Sequence, residues 1–219
     1  MLFDLSSKLV FIGDSITDCG RSRPIGEGSG DALGFGFVRQ VDTLIQSAYP
    51  EGRVRTINMG IGGHTVRHLD ARWQTDVFDL EPDVLVIMIG INDVWRHFDS
   101  FLQPEQAVGL EEYSSTLENL VTMTQPEVDN MVLMTPFMIE PNREEPMRKM
   151  MDEYGAAMKK IGASAGVPVV DIQAAYDKFC VVRHPMSIAI DRVHPNQVGH
   201  MVITRAFLNA VGFDWSRLG

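Results

Sequence analysis

Short, mostly apolar strand-like runs alternate along this chain with longer stretches whose apolar residues recur every three or four positions. The first run, Lys8-Leu9-Val10, continues through Phe11-Ile12 to Gly13. Similar runs cover Val54–Asn58, Val84–Ile89, Met131–Thr135 and Val167–Asp171. Each has the length of a strand, and Val84–Ile89 has no polar face, as expected of a central parallel strand covered on both sides. Between the runs the period lengthens. Phe37, Val38, Val41, Leu44 and Ile45 share one face of a helix predicted over 35–48, which Pro50 and Gly52 end. Val66, Leu69, Trp73, Val77 and Phe78 predict a second helix. Others are predicted over 110–123, over 147–163, in the stretch leading to Phe179, and over 197–210. The segments 26–36, 92–109 and 136–146 read as loops. Strand and helix alternate five times, which predicts a three-layer α/β/α domain around a parallel sheet. Right-handed crossovers then bring all the strand-to-helix loops to one edge. With no repeat and no linker, residues 1–219 read as a single domain.

Polar residues of chemical interest fall where those strands end. Asp14-Ser15 follows the first strand, Gly62-Gly63 the second and Gly90-Ile91-Asn92-Asp93 the third, while Asp191-Arg192-Val193-His194-Pro195 precedes the last helix. The carboxyl ends of such strands are where open α/β sheets bind ligands. Singly, each segment has an ordinary structural reading: a turn closing a strand, a glycine turn before a helix, a strand-end cap, a capping turn. Together they supply the parts of a nucleophilic mechanism. A serine hydroxyl needs a base beside it, a histidine can take and return its proton, and a carboxylate can set the imidazole tautomer. Asp191 and His194, three residues apart, could supply base and orienter from one turn. Gly63 can expose its backbone N–H to a ligand, and the Asn92 amide can reach the same oxyanion. Trp95, Phe98 and Phe101 lie in the predicted loop after the central strand. They are placed either at the rim of the site, stacking on sugar or lining an acyl pocket, or in ordinary core packing. Arg96 is placed to hydrogen-bond sugar hydroxyls.

Composition narrows the partners. The net charge is −10, and the 19 lysines and arginines are scattered, which argues against nucleic acid and anionic lipid as ligands. The two cysteines, Cys19 and Cys180, make no disulfide framework. The N-terminus lacks the features of a secretion signal and no apolar run could span a bilayer, so the expected location is the cytoplasm. His64 and His68 have a metal-compatible spacing but no third ligand, so no metal or cofactor is expected. Gly60-x-Gly62 lacks the last glycine of a dinucleotide fingerprint, its place being taken by Thr65.

Gly13-Asp14-Ser15-Ile16-Thr17-Asp18 resembles the first block of the SGNH, or GDSL, hydrolases. Gly60-Ile61-Gly62-Gly63-His64-Thr65 resembles the second block, Gly90-Ile91-Asn92-Asp93 the third, and Asp191-x-x-His194 the fifth, in that order along nearly the whole chain. Gly62 stands where many members carry serine. The resemblance implies a flavodoxin-like sheet and a Ser15–His194–Asp191 triad. It also implies an oxyanion hole of the Ser15 and Gly63 backbone N–H groups and the Asn92 side chain. Within the family, Phe11–Arg21, Met88–Arg96 and Asp191–Pro195 are most similar to intracellular bacterial acetyl esterases acting on acetylated xylo-oligosaccharides. The expected substrate is therefore a small ester, an acetylated oligosaccharide first, with Trp95 against its sugar. A thioesterase or lysophospholipase with a longer acyl pocket is the competing enzyme class, and a non-catalytic carbohydrate-binding module the competing non-enzyme. Because the resembled esterases are oligomeric, a homo-oligomer is expected, with the apolar tail Val211–Trp215 either near an interface or folded back on its own domain.

Overall fold

The computed structural model describes residues 1–28 and 30–218. In chain order the elements are β1 (Lys8–Gly13), α1 (Ser15–Asp18), α2 (Phe37–Ala48), β2 (Arg55–Gly60), α3 (Val66–Ala71), α4 (Trp73–Asp76), β3 (Val84–Met88), α5 (Ile91–Asp99), α6 (Leu110–Thr124), β4 (Asn130–Met134), α7 (Pro146–Ala165), β5 (Val169–Val170), α8 (Ile172–Cys180) and α9 (Gln197–Ala210). The five strands pair in parallel in the order β2-β1-β3-β4-β5. This is the predicted α/β sheet. The chain leaves β1 toward β2 on one side, then returns past it to β3, β4 and β5. Right-handed crossovers in opposite directions place helices on opposite faces, and the reversal opens a crevice beyond the carboxyl ends of β1 and β3.

The central strands are apolar on both faces because both are covered. Phe37 of α2 and Phe207 of α9 pack edge-on against Phe11, with ring centroids 5.9 and 5.4 Å away. Across the sheet, Tyr113 of α6 packs on Tyr154 of α7. In register, Gly13 lies opposite both Gly60 and Met88. At Gly60 a Cβ would come within 2.1 Å of the Asp18 backbone nitrogen. The missing side chain is what lets α1, and with it Ser15, sit directly on the end of β2.

Several boundaries differ from the sequence reading. The helix expected through Val66 and Phe78 is broken at Arg72 (φ −116°, ψ 11°) into α3 and α4. There the Arg72 guanidinium turns inward and donates to the carbonyls of Met59 (2.7 Å) and Gly13 (3.0 Å), capping the ends of β2 and β1. The fifth strand contracts to Val169–Val170 at the sheet edge, since Pro168 has no N–H to offer a ladder. The predicted loop over 92–109 begins as helix α5, which carries Asn92, Trp95 and Arg96. Its spacing Ile91, Val94, Trp95 and Phe98 is that of an amphipathic helix, hidden in the sequence by the turn-like Gly-Ile-Asn-Asp before it. The first large helix starts at Phe37 and leaves Phe35 exposed. The C-terminal tail folds back: Phe213 is buried against the Tyr49 ring, and the Arg217 guanidinium lies 4.3 Å above that ring.

Candidate active site

β1 ends at Gly13, and the next two residues begin α1. The side chain of Asp14 accepts from Ile16 N (3.0 Å) and caps the helix, which puts Ser15 at its first position. Asp14 is itself buried, and burial pushes its carboxyl up to about 7. The Ser15 Oγ lies 2.8 Å from His194 Nε2, across 179 residues of sequence. The histidine arrives on the turn before α9, whose start Asn196 caps by accepting from Val198 and Gly199. Arg192 takes a left-handed φ of 63°, and this tight turn lets Asp191 reach back to the imidazole. Asp191 Oδ2 is 2.6 Å from His194 Nδ1, while Oδ1 accepts from the backbone N–H groups of Val193 (3.0 Å) and His194 (2.8 Å). Partial burial acts to raise the Asp191 carboxyl, but these hydrogen bonds outweigh it and hold the group below the usual carboxylate range.

A carboxylate facing Nδ1 requires that nitrogen to carry the ring proton. Nε2 then presents a lone pair to Ser15, and the hydroxyl donates to it. The relay is open to solvent, with side-chain exposures of 46% for His194 and 42% for Asp191, so a bulky ester can approach without a lid moving.

Two further segments carry the candidate oxyanion donors: the turn at Gly63 and the first turn of α5, with Asn92. Among the described residues nothing accepts from Ser15 N or Gly63 N. Gly63 has a φ of +80° and open space where a side chain would stand, so its N–H can be turned outward without strain. The turn carrying it lies beside Ser15: a Cβ on Gly62 would be 3.8 Å from the Ser15 Cβ. Gly62 N donates to Asp18 Oδ2 (3.1 Å), which also takes Arg23 Nη2 (2.5 Å). The far end of the turn is held by Asp93, whose Oδ1 accepts from Val66 N (3.0 Å). Asp93 is fully buried, and burial pushes its carboxyl up to about 7. Asn92 Nδ2 donates to the carbonyl of His64 (3.0 Å), one residue past Gly63, which leaves its second amide hydrogen uncommitted.

The structure thus brings together Ser15, His194, Asp191, Gly63 and Asn92, all named from sequence. Trp95 is half-buried, 5.8 Å between ring centroids from His194. Phe98 and Phe101 are exposed, so they do not pack in the core. Arg96 pairs with Asp99 and donates to Asn92 Oδ1 (3.2 Å), which commits two of its N–H groups and leaves others uncommitted. The holding roles of Asp18 and Asp93 were missed, although both sit in the same short motifs as Ser15 and Asn92. His64 and His68 stack with centroids 4.6 Å apart, and no cluster of three metal-ligating side chains occurs among the described residues.

Beside Gly63 lies a cavity of about 540 Å³ whose lining includes Thr65, Arg67, Ala71, Arg96, Glu105 and Gln106.

The GDSL-like Lipase/Acylhydrolase family matches residues 11–202. An acetylxylan esterase from Geobacillus stearothermophilus is 52% identical over 96% of both chains. The crystal structure of that esterase, Axe2, superposes with a TM-score of 0.94 at 52% identity over 95% of each chain. A form described as its catalytic mutant H194A gives 0.97 at 50% identity over 98% of each. LAE5, described as an alpha/beta hydrolase enzyme from the metagenome of Lake Arreo, Spain, gives 0.96 at 49% identity, covering 100% of this chain and 99% of its own. With the predicted sheet, the ordered motifs and these relatives in agreement, the chain is a serine ester hydrolase belonging to the GDSL-like lipase/acylhydrolase family.

Proposed function

We propose that this enzyme removes acetyl groups from sugar hydroxyls, with acetylated xylo-oligosaccharides the leading substrate, through an acyl-enzyme on Ser15. The observation that carries the reading is the relay itself: Ser15 Oγ 2.8 Å from His194 Nε2, and His194 Nδ1 2.6 Å from Asp191 Oδ2. In the first step Ser15 Oγ attacks the acetyl carbonyl and its proton passes to Nε2. Asp191 stabilises the resulting imidazolium. The Ser15 and Gly63 N–H groups and Asn92 Nδ2 receive the charge on the carbonyl oxygen. Collapse expels the sugar alkoxide, which takes the proton from Nε2. Water, deprotonated by the same nitrogen, then releases acetate and restores the serine.

The sugar reading is supported by a relative's description as an acetylxylan esterase and by the arginine, glutamate and glutamine side chains around the cavity beside Gly63. A wall of arginine, glutamate and glutamine suits hydroxyl-rich ligands; a long acyl chain is better served by an apolar lining. Trp95 offers a ring face beside His194 on which a pyranose can stack. Each methylene buried in a fitting pocket adds about 0.8 kcal/mol of binding. A site without such a pocket gains nothing from added carbons. kcat/KM is therefore expected to fall steeply from acetate to butyrate to octanoate esters, and peracetylated xylobiose to be deacetylated. A rise with chain length would replace this reading with a thioesterase or lysophospholipase. Activity in Ser15→Ala would remove the acyl-enzyme. We also propose a cytoplasmic homo-oligomer. The exposed apolar side chains Val181, Val182, Met186 and Ile190, with Trp215 of the tail, support self-association; a monomer in light scattering at micromolar concentration would refute it.

A further inference from the structure

An asparagine serves as an oxyanion donor only when its nitrogen, and not its oxygen, faces the reacting carbonyl. The two ends of a side-chain amide have the same shape, so nothing steric selects between them. In Asn92 the choice is made by two hydrogen bonds of opposite sense. Nδ2 donates to the carbonyl of His64 at 3.0 Å, and Oδ1 accepts from Arg96 Nη2 at 3.2 Å. Turning the amide over would set Oδ1 against the His64 carbonyl and the NH₂ against the guanidinium. Both bonds would be replaced by like-against-like contacts. Arg96 lies one helical turn beyond Asn92 on α5, and its other terminal nitrogen is engaged by Asp99, so the guanidinium is itself anchored. Its side chain is only 24% exposed, and its carbon Cζ lies 6.0 Å from the Trp95 ring centroid.

We propose that Arg96 is a positioning residue of the oxyanion hole: it holds the Asn92 amide with Nδ2 toward the substrate and polarises that amide for donation. The proposal rests on the esterase reading above. The guanidinium draws electron density toward Oδ1, which makes the Nδ2 hydrogens better donors when charge develops on the substrate oxygen. Because that charge develops in the transition state, losing Arg96 acts on kcat and leaves ground-state binding nearly intact.

The test is a double-mutant cycle on a chromogenic acetate ester with Arg96→Ala, Asn92→Ala and the pair combined, plus Arg96→Lys. Urea unfolding checks that each variant is folded. Arg96→Ala is expected to lower kcat about tenfold with KM unchanged within about twofold, and Arg96→Lys to recover part of the loss. In the Asn92→Ala background, removing Arg96 is expected to change kcat less than about twofold, since there is no amide left to hold. Equal losses in both backgrounds, or a rise in KM at constant kcat, would overturn the proposal while leaving the esterase intact. A folded wild type without acetyl esterase activity would instead overturn the esterase reading. Should Arg96→Ala not fold, Arg96→Lys in the two backgrounds decides the question by the same criterion.

Discussion

Asparagine at position 191 separates two things a carboxylate can do for a histidine: stabilise its positive charge and select its tautomer. Asp191 Oδ1 accepts two backbone N–H groups, at 3.0 and 2.8 Å, while Oδ2 faces His194 Nδ1 at 2.6 Å. An asparagine must keep its carbonyl oxygen on the side of the two backbone donors. Its NH₂ then takes the place of Oδ2 and points a hydrogen at Nδ1. Nδ1 becomes the acceptor, the ring proton moves to Nε2, and Nε2 loses the lone pair it offers to Ser15. To regain the active tautomer the ring must set N–H against N–H, which loses a hydrogen bond to a charged group, about 1.5–3 kcal/mol, and adds a donor–donor contact. Loss of the carboxylate charge adds to this, though solvent screens it at an open site. Together these give about 4–6 kcal/mol, a fall of about 10³–10⁴ in kcat for Asp191→Asn. Asp191→Ala imposes no tautomer and is expected to be no worse than Asp191→Asn, even though it removes more atoms. The assay is kcat for a chromogenic acetate ester, with urea midpoints to confirm folding. An Asp191→Asn enzyme within about tenfold of wild type, or one far more active than Asp191→Ala, would refute the tautomer argument.

Asn92→Ala is expected to lower kcat by about 10²–10³ with a smaller change in KM, since its donor matters most in the transition state; steady-state kinetics check this. Gly60→Ala forces a Cβ to within 2.1 Å of the Asp18 nitrogen, a backbone atom that cannot step aside, and should destabilise the fold by about 3 kcal/mol or more in urea unfolding. For Asp93, burial raises the carboxyl from an ordinary 3.8 to about 7. The folded state therefore holds a proton that the unfolded chain releases. That stability is complete below the unfolded value near 3.8 and is lost as pH rises through about 7. Asp93→Asn keeps an oxygen for Val66 N and cannot ionise. Its unfolding free energy should fall less than that of wild type between about pH 5 and 8; an identical fall in both would mean that Asp93 does not titrate there.

Much of this site is legible in the linear sequence because its chemistry is carried by short segments. Ser15 stands right after an apolar strand, Asp191 and His194 share one turn, and the Gly-Gly and Asn-Asp pairs each close a strand. A run of apolar residues ending in small polar ones is a local signal, and alternation of such runs with helical periods is enough to specify a parallel sheet. What the sequence alone determined was therefore the layered α/β fold and the set of candidate residues. Tertiary structure decided how they act on one another. The 2.8 Å contact between Ser15 and His194 spans 179 residues, and no local pattern encodes such a distance. The break at Arg72 depends on carbonyls of two strands that only the folded sheet brings within its reach. Residues 91–99 form a helix whose amphipathic spacing the turn-like Gly-Ile-Asn-Asp before it hides in the sequence. That helix in turn set Arg96 on Asn92. The physical reason is common to all three. Local propensity and periodicity act between near neighbours, whereas the orientation of a side-chain amide, an imidazole or a guanidinium is set by partners that are distant in sequence and adjacent only after folding.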